Sequence, residues 1–268
     1  MSIRTCLFTQ SLFSLSLPDA IRAAADAGYS AVELACCAPH LDADTARTQG
    51  RDVAKEIGEA GLEVAALSLF SSFTDPETAA SEVREALQFI ALAPLFGSRV
   101  VKLTPGLPAS VLSTDRHWQR LRRCVRLLVP AAEEYGVRLA VETHMRQLTD
   151  TLASTLRFLD MVPPERVGVT LDFSNLRFAG EEMREVIPAL AGRIFHAHVK
   201  NGVVDSEGGW HFGALDKGKT DYEEVIALLR EAGYDGFLSV ECLGPEAGTD
   251  PVATIRRDLN VLRGYLGK

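Results

Sequence analysis

Residues 136–175 read GVRLAVETHMRQLTDTLASTLRFLDMVPPERVGVTLDFSN, and this stretch decides the fold. Gly136 follows a long charged, periodic segment and supplies the left-handed position that ends a helix. Arg138–Val141 then runs apolar, as a strand covered on both faces does. Thr149–Leu159 repeats its apolar residues at helical spacing, and Val167–Leu171 is apolar again. Strand, helix and strand in this order make one βαβ unit with parallel strands.

Outward from this unit the same alternation continues in both directions. Strands are predicted at Ile3–Phe8, Ala31–Leu34, Leu62–Leu69, Arg99–Leu103, Ile194–Val199 and Phe237–Val240. Helices are predicted at Pro18–Ala27, Asp44–Ala60, Pro76–Leu95, Thr114–Tyr135, Glu182–Leu190, Tyr222–Ala232 and Pro251–Leu266. Gly28, Gly61 and Gly233, like Gly136, each stand just past a helix and just before a strand. Eight strand–helix units in 268 residues match an α/β fold of the (β/α)8 TIM-barrel type, whose usual size is about 250 residues. A doubly wound sheet would carry a Gly-rich first turn, and no G-x-G-x-x-G follows the first strand. With no linker or low-complexity tract, residues 1–268 are expected to form a single domain.

Composition narrows the class further. Hydrophobic residues make up 47% and charged residues 24%, which excludes a disordered chain. The net charge of −8 argues against a nucleic-acid partner, whose phosphates call for a basic stripe. Five cysteines without paired spacing read as free thiols of a reducing compartment, so a cytoplasmic location is expected. No apolar run reaches membrane-spanning length, and the polar residues interrupting Leu7–Leu17 argue against a signal peptide.

In a barrel of this kind the chemistry sits where the strands end. Those ends deliver Glu33, Lys102, Glu142 with His144 two residues on, Asp172, His196 and His198 with Lys200, and Glu241. Three carboxylates gathered in one place repel one another and raise each other's pKa, and a divalent cation removes the conflict. Glu142, Asp172, His198 and Glu241 therefore form a candidate metal site. Its hard, oxygen-rich character suits one Mn²⁺, Mg²⁺ or Co²⁺ ion, with Zn²⁺ also admissible. His196 shares the strand face of His198 by the period of two and reads as a structural neighbour.

These residues carry a family resemblance that spans the chain. It is densest in Leu139–Thr151 (LAVETHMRQLTDT), Val167–Asn175 (VGVTLDFSN), Phe195–Gly202 (FHAHVKNG), Leu215–Tyr222 (LDKGKTDY) and Gly236–Cys242 (GFLSVEC). The chain resembles the xylose isomerase-like TIM barrels, the superfamily of sugar isomerases and epimerases that also holds inosose and 3-dehydroshikimate dehydratases and endonuclease IV. The resemblance implies one divalent metal on Glu142, Asp172, His198 and Glu241. It also implies that Glu142 and Glu241 take and return a proton beside the carbonyl of a ketose or polyol ketone. Two departures stand out. Asp216 replaces the first Gly of the family's G-x-G-x-(I/V)-D loop, and Asn175 replaces a His that serves the multi-metal nuclease branch.

Around that centre Lys200 and Lys102 are expected to polarise a carbonyl or hold substrate, and His144 to act as acid or base. Glu33 and Asn175 are expected to bind hydroxyls, and His211, in the loop Asp205–Gly213, to cover the substrate together with Trp210. An isomerase or epimerase of carbohydrate metabolism is the first reading. A lyase using the same enolate is the alternative, and a non-catalytic barrel subunit is a remote third. A homodimer is expected, by analogy with other barrels.

Overall fold

A computed structural model describes residues 3–267. Eight parallel strands close into a barrel: β1 (Arg4–Phe8), β2 (Ala31–Ala35), β3 (Glu63–Ser68), β4 (Val100–Leu103), β5 (Arg138–Glu142), β6 (Val167–Asp172), β7 (Ile194–Val199) and, after an antiparallel hairpin β8 (Asn201–Val204) and β9 (Trp210–Gly213), β10 (Phe237–Val240). β1 pairs with both β2 and β10, which completes the ring and leaves no open edge. Helices α1 (Leu17–Ala27), α2 (Ala43–Glu59), α3 (Ala79–Leu92), α4 (Asp115–Glu134) and α5 (Leu152–Leu159) follow the first five strands. After β6 come α6 (Phe173–Phe178) and α7 (Met183–Ala189), after the hairpin α8 (Tyr222–Glu231), and after β10 α9 (Pro245–Thr249) and α10 (Pro251–Leu266).

Local chemistry sets the boundaries. The Ser16 side chain accepts the Asp19 N–H at the start of α1, and Gly28 at φ 95° ends that helix. The helix predicted from Thr149 starts at Leu152, because Thr151 and Ser154 form a reciprocal cap there. The helix predicted over Pro76–Leu95 splits into α3 and a 3-10 turn, Ala93–Phe96, where Pro94 lacks the N–H that would continue the ladder. The stretch expected as a loop over Asp205–Gly213 contains the second strand of the hairpin, in register from Asn201 opposite Gly213 to Val204 opposite Trp210.

The main core lies between the barrel and its helices. The barrel interior is filled separately by two small layers, Cys6, Ala31 and Ala65 with Phe237 packed against them, and Ala66, Val100, Ala140 and Phe195. Two register shifts build this floor. One lies between Val32 and Glu33 on β2, and the other between Val169 and Thr170 on β6. At the second, Ile194 pairs with Val169 but His196 pairs with Thr170, so Phe195 is the extra residue of a bulge. Phe195 thereby fills the floor while His196 and His198 continue above it. Gly168 makes room for it, since a Cβ there would lie 2.4 Å from the Arg193 carbonyl and 2.7 Å from the Phe195 ring. The Arg138 guanidinium closes the floor from below, 4.6 Å from the Phe195 ring centre. Among the described residues no helix is long and apolar enough to cross a membrane, and all five cysteines are free thiols.

Candidate active site

The site is built on the last turns of the strands. Asp172 closes β6 and caps the short α6, where its Oδ1 accepts the Asn175 N–H at 2.9 Å. That bond spends one oxygen and leaves Oδ2 buried, facing the Lys200 ammonium at 2.9 Å. His198, facing Asp172 across the β6–β7 ladder, is likewise fully buried, and its Nδ1 has no hydrogen-bond partner. Glu142 Oε1 lies 3.5 Å and Asp172 Oδ2 4.0 Å from that Nδ1. One ligand atom from each of Glu142, Asp172 and His198 falls within 4.8 Å of the others.

Two ammonium groups flank this triad. Lys102 Nζ stands 2.8 Å from Glu142 Oε2. Lys200 Nζ lies 2.9 Å from Asp172 Oδ2 and 2.7 Å from Glu241 Oε2. Glu241, expected as the fourth metal ligand, is thus joined to the triad by an ammonium and does not fall within it. Lys200 is itself held firmly, because its N–H donates to the Tyr222 hydroxyl at 2.9 Å and its carbonyl accepts from the Ser174 hydroxyl. Ser174 and Tyr222 escaped the sequence reading, although both fall in stretches quoted above for the family resemblance.

Below His198 lies a second group. Glu33, fully buried on β2, accepts the His198 Nε2–H at 2.9 and 3.0 Å and the His196 Nε2–H at 2.8 Å. Burial alone would push the Glu33 carboxyl up, but the two imidazoles outweigh it and hold it well below the usual carboxylate range. Glu142 is also buried, and Lys102 and His198 together hold it well below that range. Asp172 is pushed up by its burial, against the pull of Lys200, with Glu241 and Glu142 adding repulsion. His198 is pushed up to about 10, because Glu33 and Glu142 overcome the cost of burying its charge.

A cavity of about 300 Å³ opens on this centre, and Lys102, Glu142, His144 and Glu241 line it together. Phe8 and Phe70 form an apolar wall, while Gln10, Ser71, Thr104 and Gln147 supply uncharged polar groups. His144 donates its Nδ1–H to the Met145 carbonyl at 2.9 Å, which leaves Nε2 as its functional atom. Asp172, His198 and Lys200 are buried beyond the walls.

Three residues expected to touch substrate do not line the cavity. Both Glu33 oxygens are taken by imidazoles, and Asn175 spends its Nδ2–H on the Thr143 carbonyl at 3.0 Å. His211 sits on the hairpin with its side chain 61% exposed and bonded to Asp205 Oδ2 at 2.7 Å. Trp210 is held apart from the cavity too, stacked 4.1 Å from the Arg146 guanidinium.

The donor set fits a divalent cation. Four buried carboxylates, Glu33, Glu142, Asp172 and Glu241, face the two ammoniums of Lys102 and Lys200. The carboxylates exceed the ammoniums by two charges; a proton on His198 offsets one of them, and a divalent cation that takes the place of that proton balances both. The His198 Nδ1, which makes no hydrogen bond, and the Asp172 Oδ2, with a Glu142 oxygen beside them, offer the mixed hard set that Mn²⁺, Mg²⁺, Co²⁺ or Zn²⁺ accepts.

An inosose dehydratase of Lacticaseibacillus casei is 27% identical over 152 residues, covering 52% of this chain and 51% of that protein. The chain thus spans about half the length of that relative. A 3-dehydroshikimate dehydratase of Bacillus anthracis is 24% identical over 261 residues, covering 92% of this chain and 91% of the relative. Among solved structures, an L-ribulose 3-epimerase shares the fold with a TM-score of 0.80 at 22% identity, covering 99% of this chain and 95% of that one. The family model described as xylose isomerase-like TIM barrel matches residues 21–265, from α1 through α10, and the chain belongs to that family.

Proposed function

We propose that the chain is a divalent-metal-dependent enzyme that removes a proton beside the carbonyl of an uncharged polyhydroxylated ketone and then expels a β-hydroxyl, that is, a dehydratase. The observation that carries this reading is the convergence of Glu142, Asp172 and His198, the last with a buried Nδ1 that makes no hydrogen bond, beside a cavity that also presents His144 and Glu241. Glu142, Asp172 and His198 would hold the cation, with Glu241 as the fourth expected ligand. The cation would supply Lewis acidity to a carbonyl and its neighbouring hydroxyl, which acidifies the C–H between them.

The remaining chemistry belongs to the chain. Glu142 Oε2, hydrogen-bonded to Lys102, is a carboxylate that can accept a proton, and Lys102 keeps a positive charge beside the oxygen on which negative charge develops. His144 in its imidazolium form would give its Nε2 proton to a departing hydroxyl, while its Nδ1–H stays on the Met145 carbonyl. Phe8 and Phe70 exclude water from one side of the cavity. Lys102 is the one cation among the described lining residues, and Glu142 already engages it. This favours an uncharged substrate over a carboxylate or a phosphate ester.

The names of the two relatives, both dehydratases, support elimination. A second reading, isomerisation or epimerisation, draws on Glu142 and Glu241. They reach the same cavity from β5 and from beyond β10, three places apart round the barrel.

One experiment separates these outcomes. Purified protein with Mn²⁺ is incubated in D₂O with an inosose, a ketose and 3-dehydroshikimate and followed by NMR. Loss of water from the inosose, abolished by chelator, with 3-dehydroshikimate left intact, is expected. Deuterium entering the ketose without loss of water would establish the isomerase reading instead. No exchange in any of the three would sink the enzymatic reading.

A further inference from the structure

We infer that Glu33 is a positioning residue, which holds the His198 Nε2–H so that Nδ1 is the nitrogen turned to Glu142 and Asp172. This rests on the metal-dependent reading above and assigns a role to a residue outside the ligand set.

An ionised carboxylate only accepts hydrogen bonds. The bonds from His198 Nε2 at 2.9 and 3.0 Å and from His196 Nε2 at 2.8 Å therefore require a proton on Nε2 of both rings. With Nε2 committed, His198 has one nitrogen left, and it is the buried, unpartnered atom beside Glu142 Oε1. The rings of His196 and His198 stand edge to face, 5.5 Å apart at 85°. Phe8 packs on the other side of His198 with ring centres 5.3 Å apart. The imidazole is thus clamped in angle as well as in tautomer, which is what a ligand-supporting carboxylate does.

The three residues Glu33, His196 and His198 also meet the spacing of a metal cluster. Their separations of 2.8–3.0 Å are those of N–H···O bonds, whereas two ligands each about 2.0–2.2 Å from one tetrahedral zinc ion stand about 3.3–3.6 Å from each other. Each imidazole proton already occupies the line between its nitrogen and the carboxylate. Glu33 therefore supports the upper cluster and does not form a second one.

The test titrates Mn²⁺ by calorimetry, and Co²⁺ by its visible absorption, into the chelator-treated full chain and its Glu33→Gln variant. Both rings meet Glu33 Oε2 and His198 also meets Oε1, so a carboxamide sets an NH₂ donor against a ring N–H at one of these oxygens and removes the negative charge that both N–H groups face. The expected result is affinity weakened about 10–100-fold, the usual cost of losing such a support, together with a shifted Co²⁺ spectrum. A purely structural role would move the urea midpoint and leave the spectrum of the bound ion unchanged. Equal affinity and an identical spectrum in the variant would overturn the inference while leaving the metal site standing. No binding by the parent chain would overturn the metal reading and this inference with it. ¹⁵N spectra of the zinc-loaded parent need no variant to fold: a proton on His198 Nε2 with zinc on Nδ1 is expected, and the reverse arrangement refutes the role.

Discussion

The barrel mouth and the β8–β9 hairpin lie next to each other in sequence and differ in almost everything else. His198 and Lys200 end β7 inside the barrel, buried and tied to residues from β2, β5 and β6. Eleven residues after Lys200, His211 is open to solvent, and its one polar partner, Asp205, belongs to the same hairpin turn. Sequence alone offers both histidines as site residues, because residue type is the same in each. What separates them is whether neighbouring strands converge on the position. At the mouth Glu142, Asp172, His198 and Lys200 are fixed by ionic partners distant in the chain. On the hairpin His211 answers only to its own turn and Trp210 to one exposed stacking contact, so the mouth should govern chemistry and the hairpin should contribute little.

That contrast can be broken most directly at its strong end. Glu142→Gln and Asp172→Asn should each lose stoichiometric cation, measured by elemental analysis, and turnover should fall by about 10²–10⁴-fold, the scale of losing a positioned acid–base group. Retention of the cation by both variants would undo the site assignment.

A second probe sharpens the electrostatics. His198 titrates near 6.5 when unfolded and is raised to about 10 when folded, by Glu33 and Glu142 acting against burial. Its contribution to stability is therefore fully present below about 6.5 and is lost as the pH rises through about 10. The urea midpoint of chelator-treated protein should fall across that window, and His198→Gln should flatten the fall. A midpoint that stays level in the parent would show that Glu33 and Glu142 do not hold the charge.

The smallest effects belong to the hairpin. Trp210→Ala removes the contact with Arg146 and should cost about 0.5–1 kcal/mol, as an exposed cation–π pair does. His211→Ala should leave turnover within about twofold of the parent, since surface changes of this kind stay within about 0.5 kcal/mol. A tenfold loss at His211 would mean that the hairpin reaches the substrate, and the contrast between the two regions would fail.

The barrel was legible in the sequence because its determinants are local. Gly28, Gly61, Gly136 and Gly233 do end their helices at positive φ, and apolar runs at the expected places do form the strands. The residues at the strand ends were legible for the same reason, since position at a strand's end follows from the strand itself. The pairing of Glu33 with His198 was not, because it joins β2 to β7 across a ring whose closure no local pattern announces. Nor was the bridging of Asp172 to Glu241 by Lys200, which depends on three strands meeting at once. The hairpin was hidden because its turn, Asp205–Gly209, reads as a loop and the short strands on either side carry little apolar alternation.

Gly168 extends the reach of this architecture. It lies on β6, four residues before Asp172, and does not line the cavity. Yet the bulge it admits sets the phase of β7, and His196 and His198 follow within three residues. A single methyl group at position 168 would press on the Arg193 carbonyl and on the aromatic ring beside it. The strand's simplest relief is to slide or untwist, and either movement turns the imidazole above away from its partners. The floor of the barrel thus acts as a tuning peg for the mouth: a change there would be expected to shift His196 and His198 while the residues of the mouth themselves stayed the same.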